Sequence, residues 1–422
     1  MRILIAASGS RGDVQPLLAL ALALRERGHE PVLAATPVFA LEARDFRLPF
    51  VPVGLDVHQL LRSHRARLGS HFSIQVIRLL NQAIAEEMRL QLDGFVPLAR
   101  EFDCVVAGGA SLGARTAAEA AGVPFHYIAY TPQMLPSAYH APITLPVTGT
   151  PRWVNRMVWR SMRWLYNPRI LPMLNARRQA LGLTPVKDSI QHLFPVEHAL
   201  VAADPELFPT PPDMPAPQFG ALGLADPRPL PAEVERFLAA GEPPVYLGFG
   251  SMPDAHPERT TRLIVETARR VGCRMLISSG WADLGERGLG PNILTVGDLS
   301  HWQLFPRLAG VVHHGGAGTT AAAARAGVPQ VVLPHAFDQF LLADRVVRAQ
   351  LGVSFRRSRL TVERLARALE HIRRDTSMRE AAARTGARIR QRDAPGAIIQ
   401  HLTSFSPDAL AVPPRGYRRG ER

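Results

Sequence analysis

Residues 311–321 read Val311-Val312-His313-His314-Gly315-Gly316-Ala317-Gly318-Thr319-Thr320-Ala321, an apolar strand that meets a glycine cluster and opens directly onto an alanine-rich helix. Glycines remove the side chains that would hold a phosphate off the backbone. The first N–H groups of a helix have no partner within it and carry the positive end of its dipole. The chemistry implied is anion binding, with His314 and Thr319 as side-chain donors. The helix runs to Ala326 and stops at Gly327, a second strand follows in Val328 to Pro334, and Asp338-Gln339 lie at its end. That makes a βαβ unit with a polar pair where open parallel sheets hold their ligands. A phosphate cradle beside an Asp-Gln pair suits a phosphorylated sugar. The same glycines also occur in ordinary strand-to-helix turns, where His314 would only cap backbone groups.

A second cluster, Ser8-Gly9-Ser10-Arg11-Gly12-Asp13-Val14-Gln15-Pro16, follows the first apolar strand. Asp13 is suited to a helix N-terminus. A carboxylate facing a cleft can also accept a hydroxyl proton, and Arg11 can bind phosphate. Binding of NAD fits poorly. The loop lacks the third glycine of GxGxxG, and the next strand ends Ala35-Thr36-Pro37 without the acid that grips a ribose.

Strands and helices must position these groups. The opening reads as strand Ile3 to Ala7, helix from about Asp13 to Arg27 ended by Gly28, and strand Pro31 to Ala35. Strands at Cys104 to Ala107 and Phe125 to Ala129 flank a helix at Ala114 to Ala121, and His58 to Arg100 is helical in pattern. Prolines recur from Pro205 to Pro231 as a stiff connector. Strand character resumes at residues 244–249, 275–278, 293–296, 310–313 and 330–333. The fold class expected is α/β with two doubly wound domains facing a cleft. Residues 1–215 form the first domain, 216–395 the second, and 396–422 a short helix with a disordered basic tail.

Bulk properties exclude several classes. The 422 residues suffice for two cored domains, and 46% apolar with 20% charged content is that of a globular protein. A net charge of +13 would direct attention to nucleic acid, yet only Lys187 among the 49 basic residues is lysine, which points to codon bias. No zinc-finger, RNA-binding or P-loop spacing is present, so no nucleic-acid partner is expected. Cys104 and Cys273 lie far apart, without ligand spacing for a metal. The start lacks a signal-peptide core and no apolar run approaches a membrane span, so a cytoplasmic location is expected.

The glycine run with its histidine pair, the distal Asp338-Gln339, and the first-loop string Gly9-Ser10-Arg11-Gly12-Asp13-Val14-Gln15-Pro16-Leu17 together resemble the GT-B family 1 glycosyltransferases. The resemblance is to the branch of sterol 3-β-glucosyltransferases, glycopeptide-antibiotic glycosyltransferases and rhamnolipid rhamnosyltransferases. It is strongest at residues 1–55 and 245–355. It implies an inverting hexosyltransferase that uses a UDP- or dTDP-sugar, with no cofactor and no metal. By the same resemblance Asp13 is the general base and Ser10 and Arg11 approach the diphosphate. His301 lies near the nucleotide and the Leu299 backbone holds the base. His314, Ala317, Gly318 and Thr319 bind diphosphate, and Asp338 and Gln339 bind the sugar. Ser251, at the end of the strand before it, suits a further phosphate contact. Trp281 matches another family motif and equally suits a core position. The alternatives are an inactive sugar-nucleotide-binding or membrane-associated scaffold and a sugar-nucleotide epimerase.

The acceptor side falls where the resemblance is weak. Phe72, Met88, Tyr130, Met134, Tyr139 and Trp159 would line an apolar pocket for a natural-product aglycone, sterol or other lipid. No acid occurs between Glu119 and Asp188, and within that gap stand Arg152, Trp153, Arg156, Trp159, Arg160, Arg163 and Trp164. Such a helix either rests peripherally on an anionic inner membrane face or packs its tryptophans inward and leaves its arginines in water.

Overall fold

Near-continuous apolar strands such as Ile3-Leu4-Ile5-Ala6-Ala7 must be covered on both faces, which calls for helices on both sides of a parallel sheet. The computed structural model, which describes residues 1–56, 74–224, 226, 228–285 and 288–404, has that architecture twice.

The first lobe runs β1 (Arg2–Ser8), α1 (Arg11–Glu26), β2 (Glu30–Ala35), α2 (Ala40–Asp45), β3 (Phe50–Pro52), α3 (Ile74–Ala99), β4 (Cys104–Gly109), α4 (Ala114–Ala121), β5 (Phe125–Ala129), α5 (Arg152–Ala180), α6 (Ser189–Leu193) and β6 (Ala199–Val201). The second runs α7 (Ala232–Ala239), β7 (Val245–Gly248), α8 (Pro257–Val271), β8 (Met275–Ser278), β9 (Ile293–Val296), α9 (His301–Leu304), β10 (Gly310–His313), α10 (Ala317–Ala326), β11 (Gln330–Val332), α11 (Gln339–Arg348), β12 (Gly352–Ser354), α12 (Val362–Arg374) and α13 (Thr376–Arg390). A last helix, α14 (Ala394–Ser404), closes the described chain.

The sheets are six-stranded and parallel, in the orders β3-β2-β1-β4-β5-β6 and β12-β11-β10-β7-β8-β9. Each reverses direction once, between β1 and β4 and between β7 and β10. The crevice outside the carboxyl ends of those strands is where such sheets bind ligands. Successive residues of a strand feed opposite layers of core. Ile3, Ile5 and Ala7 enter one cluster and Leu4 and Ala6 the other; Val245 and Leu247 part from Tyr246 in the same way.

Two expectations change. The closing helix is no separate unit, because Ile398, Ile399 and Leu402 are buried with Leu17, Leu20 and Leu24 of α1. The chain therefore returns from the second lobe to cover the first, and burying each of those side chains contributes roughly 1.5–3 kcal/mol. The helix expected over His58 to Arg100 is described as α3, and residues 57–73 lie outside the described residues, as does the tail from 405. Gln303 Nε2 donates to the carbonyls of Asp226 and Arg228 and so fastens the proline-rich connector to the second lobe. Among the described residues no helix is long and apolar enough to cross a membrane.

Candidate active site

The turn from β1 into α1 passes through Gly9 at φ +128°, a left-handed conformation that favours glycine, and a side chain there would run into the Asp13 carboxylate. Asp13 is the third residue of α1. Its Oδ2 accepts from the Ser10 N–H at 2.8 Å and from Ser10 Oγ at 3.0 Å, a reciprocal cap. Oδ1 has no hydrogen-bond partner among the described residues. The cap and the base are thus compatible, because each reading uses a different oxygen. Burial raises the Asp13 pKa above the ordinary carboxylate range, against the lowering effect of the two Ser10 bonds. Tyr130 Oη donates to the Asp13 carbonyl at 2.5 Å, and Tyr127 Oη to that of Gly109 at 2.9 Å.

Across the crevice the glycine loop is shaped by His313, not His314. The Gly315 N–H donates to His313 Nδ1 at 3.1 Å, which leaves the proton on Nε2 to reach Gln330 Oε1 at 2.9 Å. The ring is fully buried and its pKa is pushed down to about 4 by that burial. His314 lies between two glycines: a Cβ on Gly250 would stand 2.9 Å from its Cε1 and one on Gly316 2.5 Å from its Nε2. Its buried Nδ1 has no hydrogen-bond partner, and burial holds the ring neutral. Gly316 caps α10, and Ala317, Gly318 and Thr319 form a first turn that remains partly or fully exposed. The space beside Gly318 is open. An unpartnered imidazole nitrogen beside an exposed helix N-terminus is an arrangement that can receive an anion.

The other residues expected on the donor side come from the turns after β7 and β9 and from the start of α11. Ser251 follows Gly250 (φ +57°) at the end of β7 and is half-buried. His301 stacks on Phe305 with 4.4 Å between ring centres, and its Nε2 lies 3.3 Å from Tyr246 Oη. Burial first, then the Arg11 charge, lowers its pKa to about 3. Leu299 is partly buried and packs against the same apolar cluster as Trp302. Asp338 caps no backbone group with its side chain. Burial, then the charge of Asp13, pushes its pKa up to about 7. Gln339 turns inward, 3% exposed, where Oε1 accepts from His335 N at 2.8 Å and Ala336 N at 3.0 Å and Nε2 meets Met252 Sδ at 3.4 Å. It thereby braces the loop that carries Asp338. Arg11 is engaged too: Nη1 lies 2.6 Å from Asp298 Oδ1 of the second lobe.

Comparison with known proteins decides the family. Residues 3–140 match the glycosyltransferase family 28 N-terminal domain, and residues 279–405 match the erythromycin biosynthesis protein CIII-like C-terminal domain. The chain is 39% identical to glycosyltransferase GtfC of Amycolatopsis orientalis, over 84% of this chain and 86% of that one. It is 38% identical to vancomycin aglycone glucosyltransferase of the same organism over the same shares, 84% and 86%. With sterol 3-beta-glucosyltransferase UGT80B1 of Arabidopsis thaliana it shares 31% identity over 83% of this chain and 59% of that one. Among solved structures, the glycotransferase of kitacinnamycin superposes with a TM-score of 0.71 at 20% identity, over 96% of this chain and 98% of that one. The chain is a glycosyltransferase of the GT-B fold.

Of the residues expected to line an acceptor pocket in this glycosyltransferase, Met88, Tyr130 and Trp159 are buried. Met88 is fully buried among first-lobe side chains, and Trp159 is 7% exposed with Nε1 donating to the His140 carbonyl at 3.1 Å. Tyr130 packs beneath Asp13, and Met134 Sδ accepts from its N–H at 3.3 Å. Tyr139 is half-exposed, with the Arg152 guanidinium 4.1 Å above its ring. Phe72 lies outside the described residues. Trp281 donates its backbone N–H to the Gly250 carbonyl at 3.0 Å and so steadies the loop beside His314.

Sequence reasoning missed His313, Asp298, Tyr127 and the buried Glu87. Glu87 and Gln91, four apart on one helix face and both polar in an apolar pattern, were the signal for that last group.

Proposed function

We propose that this glycosyltransferase moves a hexose from a nucleoside-diphosphate sugar, UDP-glucose in type, to a hydroxyl of an apolar acceptor with inversion at the anomeric carbon. The observation that carries the reading is Asp13, with Oδ1 open, set near Asp338 and across the crevice from the His314 cradle. Asp13 takes the hydroxyl proton as the acceptor oxygen bonds the anomeric carbon. The bond to the diphosphate breaks and its electron pair leaves with the diphosphate. His314, Thr319, Ser251 and the first N–H groups of α10 meet the charge that develops there. Those donors require no metal ion, so turnover should survive EDTA.

The relatives named as vancomycin aglycone glucosyltransferase and sterol 3-beta-glucosyltransferase support glucose as the sugar and a natural-product aglycone or a sterol as the acceptor. Structures of VinC and SpnG hold thymidine diphosphate, and a relative at 34% identity is named dTDP-epi-vancosaminyltransferase, which supports dTDP-sugars as a second donor class. The test is a panel of UDP-glucose and dTDP-sugars against polycyclic, aromatic and sterol acceptors. Products are weighed by mass spectrometry and their anomers read by NMR. The expected product is an inverted glycoside of an apolar acceptor; retention, or transfer only to water-soluble sugars, would overturn the reading.

One further observation favours contact with an anionic membrane face. On α5 Trp159 is core, but Trp153 and Trp164 are 65% and 81% exposed, with Met157 and Leu165 beside them and Arg152, Arg156 and Arg160 flanking. Apolar side chains within a basic rim suit the headgroup region of a cytoplasmic bilayer surface.

A further inference from the structure

Glu87 stands on α3, outside the donor site, and is 7% exposed. A buried carboxylate is costly unless hydrogen bonds satisfy it, so its partners show what it is for. Its Oε1 accepts from Ser8 Oγ at 2.5 Å and from Gln91 Nε2 at 2.6 Å, and its Oε2 accepts from the Leu55 N–H at 2.6 Å. Space for it is left by Gly54, at φ +94°, where a Cβ would lie 2.6 Å from Oε1. Gln91, fully buried and one turn further along α3, continues the network: Nε2 donates to the Ala110 carbonyl at 2.9 Å and Oε1 accepts from the Gly113 N–H at 3.0 Å.

The network joins three loops, those that follow β1, β3 and β4, at the carboxyl edge of the first sheet. Two of them enclose Asp13. Ser8 leads into Gly9, where a Cβ would run into the Asp13 carboxylate, and Ala110 follows Gly109, where a Cβ would stand 2.8 Å from Asp13 Cβ. The loops are also tied directly, through the Ala110 N–H to the Ser8 carbonyl at 3.0 Å.

We propose that Glu87, with Gln91, is a positioning residue for Asp13: it holds the two backbone segments that aim the Asp13 carboxylate into the cleft. The proposal rests on the reading of Asp13 as base. All three partners of Glu87 donate, so glutamine, which must present an N–H to one of them, loosens the bracket while keeping the volume.

A double-mutant cycle on the full-length enzyme tests this, with turnover, acceptor KM and UDP affinity read for each variant. Glu87→Gln should lower kcat roughly 10- to 100-fold, as a small misplacement of a reacting group does, with UDP affinity changed less than about twofold. In an Asp13→Asn background the same substitution should cost no further turnover, since its effect passes through the lost carboxylate. Ser8→Ala, which removes one bond and leaves Glu87 two donors, should show the same pattern at smaller size and serves if Glu87→Gln does not fold. An equal fold-loss in both backgrounds would mean a general structural role and overturn the proposal. Normal turnover in Glu87→Gln beside a crippled Asp13→Asn would reject the bracket alone. Near-normal turnover in Asp13→Asn would reject the base and the bracket together.

Discussion

Asp338 lies close enough to Asp13 that the charge of one is felt by the other, although they belong to different lobes: after burial, ionised Asp13 is the main influence that pushes Asp338 up to about 7. Two carboxyl groups so placed share their titration, the first proton leaving one and the second held back by the resulting charge. Asp338 is thus about half protonated near pH 7, so a protonated carboxyl group is available on the second lobe's side of the crevice.

The pH profile of kcat/KM for the donor should carry the signature of that pair. Its acid limb follows ionisation of Asp13, lying above the usual carboxylate range. Its alkaline limb near pH 7 follows loss of the Asp338 proton, which sets a second negative charge beside the incoming diphosphate. Asp338→Asn, a neutral mimic, should remove the alkaline limb and leave the acid limb in place. An unchanged alkaline limb would assign it elsewhere.

The two adjacent histidines should separate by phenotype. His314→Ala removes a ring whose Nδ1 is unpartnered, so folding should be little affected while UDP affinity falls about 10- to 100-fold with the loss of one charge-assisted bond. His313→Ala strands the Gly315 N–H and Gln330 in the interior and should lower the melting temperature first. Calorimetry and thermal melts on both variants check the assignment.

Arg11 and Asp298 join the lobes at 2.6 Å, but both side chains are substantially exposed, so the pair contributes at most about 1 kcal/mol to stability. Its consequence is for binding. Asp298→Asn should release Arg11 to the diphosphate and tighten UDP binding, with the melting temperature nearly unchanged. Weaker binding would show that Asp298 orients Arg11 toward the ligand.

Replacement of Trp153 and Trp164 by serine should leave melting temperature and turnover on a soluble acceptor unchanged, since both rings stand in solvent. Co-sedimentation with phosphatidylglycerol vesicles should be lost. If the wild-type protein does not sediment with such vesicles, the membrane reading fails.

The doubly wound fold was legible because long apolar strands and glycine-stopped helices repeat along the chain. Strands β3, β6 and β12, three residues each, are too short to show a period and exist through pairing with longer neighbours. Local motifs located Asp13, His314 and Asp338, whose roles depend on backbone next to them in sequence. The burial of Gln339 and Trp159 was not legible because a polar or aromatic residue near a cleft has the same letter whether it faces the cleft or the core. The Glu87–Gln91 pair was marked only by its polar spacing on one helix face, whereas its partners at Ser8, Leu55 and Ala110, like the pairing of Arg11 with Asp298, join segments distant in the chain that a single sequence does not bring together.

The role of Asp13 as base is tested most directly by the turnover of Asp13→Asn, measured with UDP-glucose and an apolar acceptor alongside calorimetry of UDP. Asparagine keeps the cap to Ser10 and the shape of the loop, so the account predicts UDP binding close to wild type with kcat lowered by about 10²- to 10⁴-fold, the range that general-base catalysis supplies. Turnover near the wild-type rate, with UDP still bound, would contradict it and leave Asp13 as a helix cap alone.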